Sequence, residues 1–140
     1  ISTDSHTYVI NSANGSIISK LNFSSVVRPI INNNYLFIIN KNNYLIAYDL
    51  IEKKILYSYN IDNQIAEKLK IKKQRISLKD FMLVQDEFLI LLNNSYILSL
   101  DVRGKLKEIR ELSSRISSKP IFIDSSLLYL DKKNRLIILN

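Results

Sequence analysis

The residues of this chain best placed to do binding chemistry are cations in segment 61–77, which reads IDNQIAEKLKIKKQRIS. This polar segment is far longer than the other connections between apolar runs. Such a cluster can bind an anionic surface on a partner, and insertions of this kind often carry recognition. The alternative is a solvated connector whose Ile and Leu side chains pack on the fold. The candidate partner or anionic-surface docking residues are Lys68, Lys70, Lys72, Lys73 and Arg75.

Asparagine and aspartate recur at one position that follows an apolar run, at Asn11, Asp49, Asp101 and Asn140. Their side-chain oxygens can accept a hydrogen bond from the backbone N–H two residues on, which is an Asx-turn. We therefore favour a structural role over a metal or catalytic one. The remaining carboxylates are scattered and His6 is the only histidine. The sequence predicts no catalytic, cofactor-binding or metal-binding residue, and no cofactor.

Composition points to a globular domain with a basic surface. The chain has 140 residues, of which 46% are hydrophobic and 24% charged, and its net charge is +7. It contains no cysteine, and no apolar run approaches the roughly 18 residues needed to cross a bilayer. The tyrosines lie mostly inside apolar runs, where core packing explains them better than stacking on bases. We therefore predict no nucleic-acid partner.

A repeated sequence motif indicates the architecture of the chain. Pro29–Asp49 and Pro120–Asn140 are both 21 residues long and align without a gap. Met82–Asp101 repeats the pattern, and we expect one residue to be missing from its turn. Each copy holds two short apolar runs joined by a polar turn, which is typical of a β-hairpin. Because the runs are continuous and do not alternate, we expect sheets that are buried on both faces.

One further strand is predicted before each hairpin and one after it, which gives four-stranded antiparallel blades. The fold class is therefore all-β, a β-propeller fragment of about three and a quarter blades spanning 1–140. Propellers usually close with four to eight blades, so we expect a C-terminal fragment whose open blade faces self-associate or meet the missing blades. The predicted parts are the last two strands of a blade at 7–22, a blade at 28–60, the basic connector at 61–77, a blade at 81–112, and three strands of a final blade at 119–140. Within the connector, Asp62 is predicted to cap a short helix with Ile65 and Leu69 on one face.

The strands and turns carry a family resemblance. Ile46–Asp49 reads IAYD, and Leu98–Lys105 reads LSLDVRGK. This order of strand, aspartate, Gly-Lys turn and strand resembles the PQQ-like propeller repeat, which runs ALDAxTGKxxW. The tryptophan position is taken by Tyr57 in one repeat and by Ile109 in another, and the chain contains no tryptophan. The resemblance covers most of the chain.

The resemblance implies one of two functions. PQQ-like propellers include quinoprotein dehydrogenases, which hold pyrroloquinoline quinone and calcium and oxidise alcohols or sugars. They also include BamB-type lipoproteins, which assist outer-membrane β-barrel assembly from the periplasm. By this resemblance we expect a non-enzymatic interaction scaffold in the periplasm or at the periplasmic face of the outer membrane, with a β-barrel assembly protein as partner. Docking would use loops at blade edges, or a free strand edge for β-augmentation. The alternative is a fragment of a PQQ-dependent dehydrogenase propeller.

Overall fold

The computed structural model describes residues 1–139, which form four antiparallel sheets and one helix. Sheet 1 contains β1 (Thr7–Ile10) and β2 (Ile17–Leu21). Sheet 2 contains β3 (Ile30–Asn32), β4 (Tyr35–Ile39), β5 (Tyr44–Asp49) and β6 (Lys54–Asn60), and helix α1 (Ile61–Leu69) follows it. Sheet 3 contains β7 (Leu78–Val84), β8 (Glu87–Leu92), β9 (Tyr96–Asp101) and β10 (Leu106–Glu111), and sheet 4 contains β11 (Ile121–Ile123), β12 (Ser126–Leu130) and β13 (Leu136–Leu139). The prediction of an all-β fold built from four-stranded antiparallel sheets is confirmed.

The three hairpins share one pairing register. The equivalent pairs are Leu36 with Tyr48 in sheet 2, Phe88 with Leu100 in sheet 3, and Leu127 with Leu139 in sheet 4. The prediction of a missing turn residue is wrong, because the third copy aligns with the others without a gap once it begins at Phe81. Phe81 takes the position of Pro29 and Pro120, so the third copy has no proline to mark its start. Register follows strand pairing and not the identity of the first residue.

Short polar residues at the hairpin turns adopt left-handed backbone conformations at equivalent positions. Asn43, Ser95 and Asn134 have φ values of 57°, 71° and 57° in the second turn of their copies. Positive φ is costly for most side chains, and asparagine tolerates it better than bulky residues do. The Asn-rich turns are therefore part of the mechanism that fixes the register. The first turns repeat the same conformation at Asn33, Gln85 and Asp124.

Each pair of consecutive sheets encloses its own hydrophobic core. Alternate residues of a strand point to opposite faces, so β4 places Leu36 and Ile38 against sheet 1 and Phe37 and Ile39 against sheet 3. This confirms the prediction that the continuous apolar runs are buried on both faces. The core between sheets 3 and 4 is formed by Leu91, Ile97, Leu112, Ile116, Leu127 and Tyr129.

The outer edges of sheets 2 and 3 meet at the turn between β9 and β10. The Tyr57 hydroxyl donates a hydrogen bond to the Val102 carbonyl oxygen over 2.8 Å, and the Tyr57 ring stacks on Tyr59. A Cβ atom added to Gly104 would lie 2.7 Å from Cε2 of Tyr57. Burial raises the pKa of Tyr57 above its usual range. The Gln64 side chain donates to the Gly104 carbonyl oxygen over 2.8 Å, which ties α1 to the same junction.

Candidate docking site

Helix α1 at the start of segment 61–77 is capped by Asn60. Its side-chain oxygen accepts a hydrogen bond from the Asn63 N–H over 2.9 Å, so the prediction that Asp62 is the cap is wrong. Asp62 instead lies buried in the first turn. Its carboxylate accepts from the Asn43 side chain over 2.9 Å and from the Ile76 N–H over 3.2 Å. Both ends of the segment are thereby fastened to sheet 2.

The four lysines of the candidate site lie at and beyond the end of α1. Lys68 is in the last turn, and Lys70 ends the helix with a left-handed φ of 53°. Lys72 and Lys73 follow in irregular chain, and all four are exposed. Within residues 1–139, none of the four makes an ion pair. Four cations are therefore free to meet an anionic partner.

Arg75 differs from the four lysines because its side chain makes a hydrogen bond to another part of the chain. Its guanidinium donates a hydrogen bond to the Lys41 carbonyl oxygen over 2.7 Å. The side chain is exposed, yet this bond holds the end of the segment to the turn between β4 and β5. We therefore assign Arg75 a tethering contact in addition to its charge.

A groove of about 450 Å³ lies between this segment and sheet 3. Leu69 and Ile71 are half-exposed in it, whereas Ile65 also packs against the core between sheets 2 and 3. Lys72 lines the groove on the segment side, and Glu111 lines it on the sheet side. The groove therefore combines an apolar floor with a charged rim. Its other apolar lining residues include Ile76, Leu92, Tyr96, Leu98 and Ile109.

The repeated Asx positions have structural roles. Asn11, Asp49 and Asp101 each accept, through Oδ1, a hydrogen bond of 2.8 to 2.9 Å from the backbone N–H two residues on. The predicted Asx-turns are thus confirmed at these three residues. Asn140, the fourth, lies outside the described residues.

A second turn position, at Asn40 and Asp131, was not recognised from the sequence as an Asx site. Asp131 Oδ1 accepts from the backbone N–H groups of Lys133 and Arg135 over 2.8 and 2.9 Å. Asn40 Oδ1 accepts from the equivalent N–H groups over 3.0 Å. The Arg135 N–H is the main cause of a pKa for Asp131 below its ordinary value. The gap-free alignment of the two copies contained the signal, because it places Asp131 on Asn40.

Glu87 and His6 make ordinary surface contacts. Glu87 accepts hydrogen bonds from Lys107 and Ser99, which lower the pKa of its carboxyl group. His6 bonds to the Ser5 hydroxyl oxygen at 2.7 Å in an exposed loop. In the described part of the chain, no group of three or more His, Cys, Asp or Glu side chains could hold a metal ion. No helix there is long and apolar enough to cross a membrane.

In residues 1–139, sheets 1 and 4 each expose a face that no other sheet covers. The open face of sheet 4 consists of Ile121, Ile123, Leu128, Leu130, Leu136 and Ile138, of which all but Leu128 are exposed. The outer face of sheet 1 consists of Tyr8, Ile10, Ile17 and Lys20, with the Lys20 amine over the Tyr8 ring. The sequence predicted open blade faces but did not show which residues compose them.

Comparison with known proteins shows the fold but no family. No protein-family model matches the sequence, and no curated protein matches it significantly. BamB from Moraxella catarrhalis has a similar structure, with a TM-score of 0.72 and 7% identity over 96% of this chain and 37% of that chain. The WD40 domain of SCAP from fission yeast has a TM-score of 0.62 and 14% identity over 95% of this chain and 34% of that chain. The computationally designed Ika4 protein has a TM-score of 0.62 and 11% identity over 96% of this chain and 79% of that chain.

These similarities confirm the predicted β-propeller fold. The chain spans about 37% of the length of the BamB structure and 34% of the SCAP domain. At 7 to 14% identity these similarities do not assign the PQQ-like repeat family, which remains a prediction from the repeat motif.

Proposed function

We propose that this chain is a non-enzymatic interaction scaffold whose segment 61–77 binds an acidic, partly apolar surface of a partner protein. The observation that carries the proposal is a run of four lysines without an ion pair in residues 1–139, one of which, Lys72, lines the open groove. Charge complementarity at such a rim speeds and orients association, while apolar contacts in the groove would supply affinity. The two half-exposed side chains, Leu69 and Ile71, are available for that contact.

A more specific role is supported by two independent observations. The strand, aspartate and Gly-Lys turn order resembles PQQ-like propellers, and the fold is similar to that of BamB. We propose that the chain acts in outer-membrane β-barrel protein assembly, in the periplasm or at the periplasmic face of the outer membrane. Its partner there would be a β-barrel assembly protein.

The binding test is replacement of Lys68, Lys70, Lys72 and Lys73 together by serine. Exposed charges contribute up to about 1 kcal/mol each, so we expect affinity for a purified outer-membrane β-barrel assembly protein to fall on the order of ten-fold or more. Biolayer interferometry at low and high salt measures this, and the loss should shrink as salt rises.

A matched control removes four exposed lysines elsewhere, Lys53, Lys119, Lys132 and Lys133. Both variants lose the same net charge, so only a local role of the segment separates them. Equal weakening in the two variants would refute docking at segment 61–77. Binding of wild-type protein to anionic lipid vesicles, with none to the assembly protein, would replace the protein partner by a membrane surface.

The non-enzymatic part of the proposal has its own test against the quinoprotein alternative. Calcium and pyrroloquinoline quinone are added together to the purified chain, and the absorbance spectrum and thermal melting temperature are followed. We expect neither to change. A calcium-dependent rise in melting temperature, with a shifted quinone spectrum, would favour the dehydrogenase alternative.

A further inference from the structure

The groove beside segment 61–77 is built from elements in the middle of the chain. Helix α1 and the residues after it form one wall, and one face of sheet 3 forms the other. Asp62 lines the groove and is 4% exposed. Its carboxylate closes the segment on itself, because it accepts hydrogen bonds from the Ile76 N–H and from the Asn43 side chain. The groove is therefore formed in the free protein, and a ligand that enters it has less ordering of the protein to offset.

The groove is large enough to take a bulky apolar side chain. Its volume of about 450 Å³ lies in the range of roughly 300–1,000 Å³ that is typical of pockets for small ligands. Of its lining residues, Leu92 and Leu98 are buried, whereas Leu69 and Ile71 are both 49% exposed. An apolar side chain that entered would cover the two half-exposed residues. Removal of their apolar surface from water would favour the complex.

The charges at the groove differ between its two sides. Lys72 lines it on the segment side, and the exposed Lys68, Lys70 and Lys73 are near Lys72 in the chain. Glu111 lines the groove on the sheet side, and its side chain is exposed. In the part of the chain that the structure describes, residues 1–139, no ion pair involves Lys72 or Glu111. A ligand in the groove therefore meets a cation on one side and a carboxylate on the other.

We propose that the groove binds one large apolar side chain, such as phenylalanine, of a partner peptide segment whose carboxylates all lie on one side of that residue. Those carboxylates face Lys72 and its neighbouring lysines, while Glu111 repels a carboxylate on the opposite side. Attraction on one side and repulsion on the other select the orientation of the segment and exclude symmetrically acidic segments. Glu111 is thereby a specificity-determining residue. The inference rests on the proposed docking at segment 61–77 and adds the motif that this site recognises.

The test uses fluorescently labelled synthetic peptides with blocked termini, so that no terminal charge contributes. Three peptides each contain four aspartates and one phenylalanine among glycine and serine residues, and they have the same net charge. The aspartates all precede the phenylalanine, all follow it, or flank it two by two. A further peptide replaces the phenylalanine by alanine in whichever one-sided peptide binds better. Fluorescence anisotropy with the 140-residue chain measures dissociation constants up to about 1 mM.

We expect one of the two one-sided peptides to bind best, because the direction of the peptide in the groove decides which side faces Lys72. The two-sided peptide should bind on the order of three- to ten-fold more weakly, since two of its carboxylates must approach Glu111. Glu111→Gln should remove most of this difference. Glu67→Gln is the matched control, because it loses the same charge at an exposed residue of α1 that does not line the groove. It should preserve the difference.

The apolar contact is tested by a second matched pair of variants. Ile71→Ser, at the groove, should weaken the best peptide by roughly five- to ten-fold, as expected for truncation of an apolar contact in an interface. Ile55→Ser alters a residue of β6 that is 50% exposed and does not line the groove. This control should leave binding unchanged. Alanine in place of the peptide's phenylalanine should lower the affinity at least as much as Ile71→Ser does.

Several results would overturn the inference. Equal affinities of the three acidic peptides, or a preference that survives Glu111→Gln, would remove the role of Glu111. An alanine peptide that binds as tightly as its phenylalanine counterpart, or no binding of any peptide at about 1 mM, would refute the apolar anchor. Self-association of the wild-type chain that Ile71→Ser abolishes would place a second copy in the groove instead.

The four-lysine variant distinguishes failure of this inference from failure of the proposed function. If replacing the four lysines by serine weakens binding of the assembly protein while the peptide results are negative, docking at segment 61–77 stands and only the recognised motif is refuted. If the lysine replacement also has no effect, the proposed docking fails with it.

Discussion

Sheet 2 packs one face on sheet 3, and the equivalent face of sheet 4 has its strands in the same register but is exposed. In sheet 2, Ile39 and Leu45 are fully buried under sheet 3. In sheet 4, the equivalent Leu130 and Leu136 face outward. Pairing within a hairpin is therefore set by local features, namely the Asx-turns, the left-handed turn residues and the alternation of side chains. Burial of a sheet face is set by its neighbour.

The difference between sheets 2 and 4 shows that equivalent positions of the repeat need not have the same surroundings. Apolar residues that recur in every copy can hold neighbouring sheets together. In sheet 2 they do so, because sheet 3 covers them. In sheet 4 the same positions form an exposed apolar surface.

The largest expected effect comes from shortening two leucines, Leu45 in sheet 2 and Leu136 in sheet 4, that occupy the same position of the repeat. Leu45→Ala removes a buried side chain and should lower the free energy of unfolding by about 2–5 kcal/mol, since it leaves a cavity between sheets 2 and 3. Leu136→Ala, at a residue 60% exposed, should change it by less than about 0.5 kcal/mol. Urea denaturation measures both values. Equal losses would mean that the face of sheet 4 that is exposed in the structure is covered in solution.

The two glycines make a second matched pair, with an intermediate effect. Gly15 and Gly104 both have positive φ, of 74° and 78°, so alanine costs about 1–2 kcal/mol of backbone strain at each. Around Gly15 no atom lies within 4 Å of the added Cβ, whereas at Gly104 it would lie 2.7 Å from Tyr57. We expect Gly104→Ala to lose about 1–3 kcal/mol more than Gly15→Ala, because the rings at the sheet 2–3 junction must shift.

Thermal and urea denaturation of the two alanine variants provide the measurement for this pair. The double variant Tyr57→Leu with Gly104→Ala serves as the control, because leucine removes the ring atom that the new Cβ would meet. The extra cost at Gly104 should then fall toward the value at Gly15. Equal losses of stability in the two single variants would show that the Tyr57 and Tyr59 rings move aside for the new Cβ without a loss of stability.

Much of this architecture could be predicted from local sequence. The hairpins, the all-β class and the Asx-turns at Asn11, Asp49 and Asp101 follow from residues that are close in the chain. Each depends on contacts within about a dozen residues, where the identity of a side chain determines the outcome. The helix after sheet 2 was also predicted, although its cap is Asn60 and not Asp62.

The features that could not be predicted depend on contacts between distant segments. Burial of Asp62 rests on Asn43 and Ile76, which belong to two other parts of the chain. The groove beside the lysines exists because α1 lies against sheet 3, a packing that no local pattern specifies. The correct start of the third copy, at Phe81, required the pairing register. Sequence periodicity indicates which residues of a strand share a face, but it does not indicate which element packs against that face.

The smallest expected effect concerns the turn position shared by Asn40 in sheet 2 and Asp131 in sheet 4. Both side chains hold their turn through the same two backbone hydrogen bonds, but only Asp131 carries a charge, which pairs with Arg135 over 2.7 Å. Asp131→Asn should therefore keep the turn and lose the ion pair. At pH 7 we expect a small loss of stability, measured by urea denaturation.

The pH dependence of stability distinguishes the contribution of the Asp131 charge from that of its hydrogen bonds to the turn. Hydrogen bonds from the Arg135 and Lys133 N–H groups and pairing with the Arg135 guanidinium lower the pKa of Asp131 in the folded chain. A carboxyl group with a lowered pKa contributes its stabilisation above its unfolded-state pKa, about 4, and loses it as the pH falls through the folded value. The stability gap between wild type and Asp131→Asn should thus close progressively below about pH 4, while the turn persists in both. A gap that stays constant between pH 7 and pH 3 would mean that asparagine fails to hold this turn, and that sheet 4, unlike sheet 2, requires the carboxylate for its geometry.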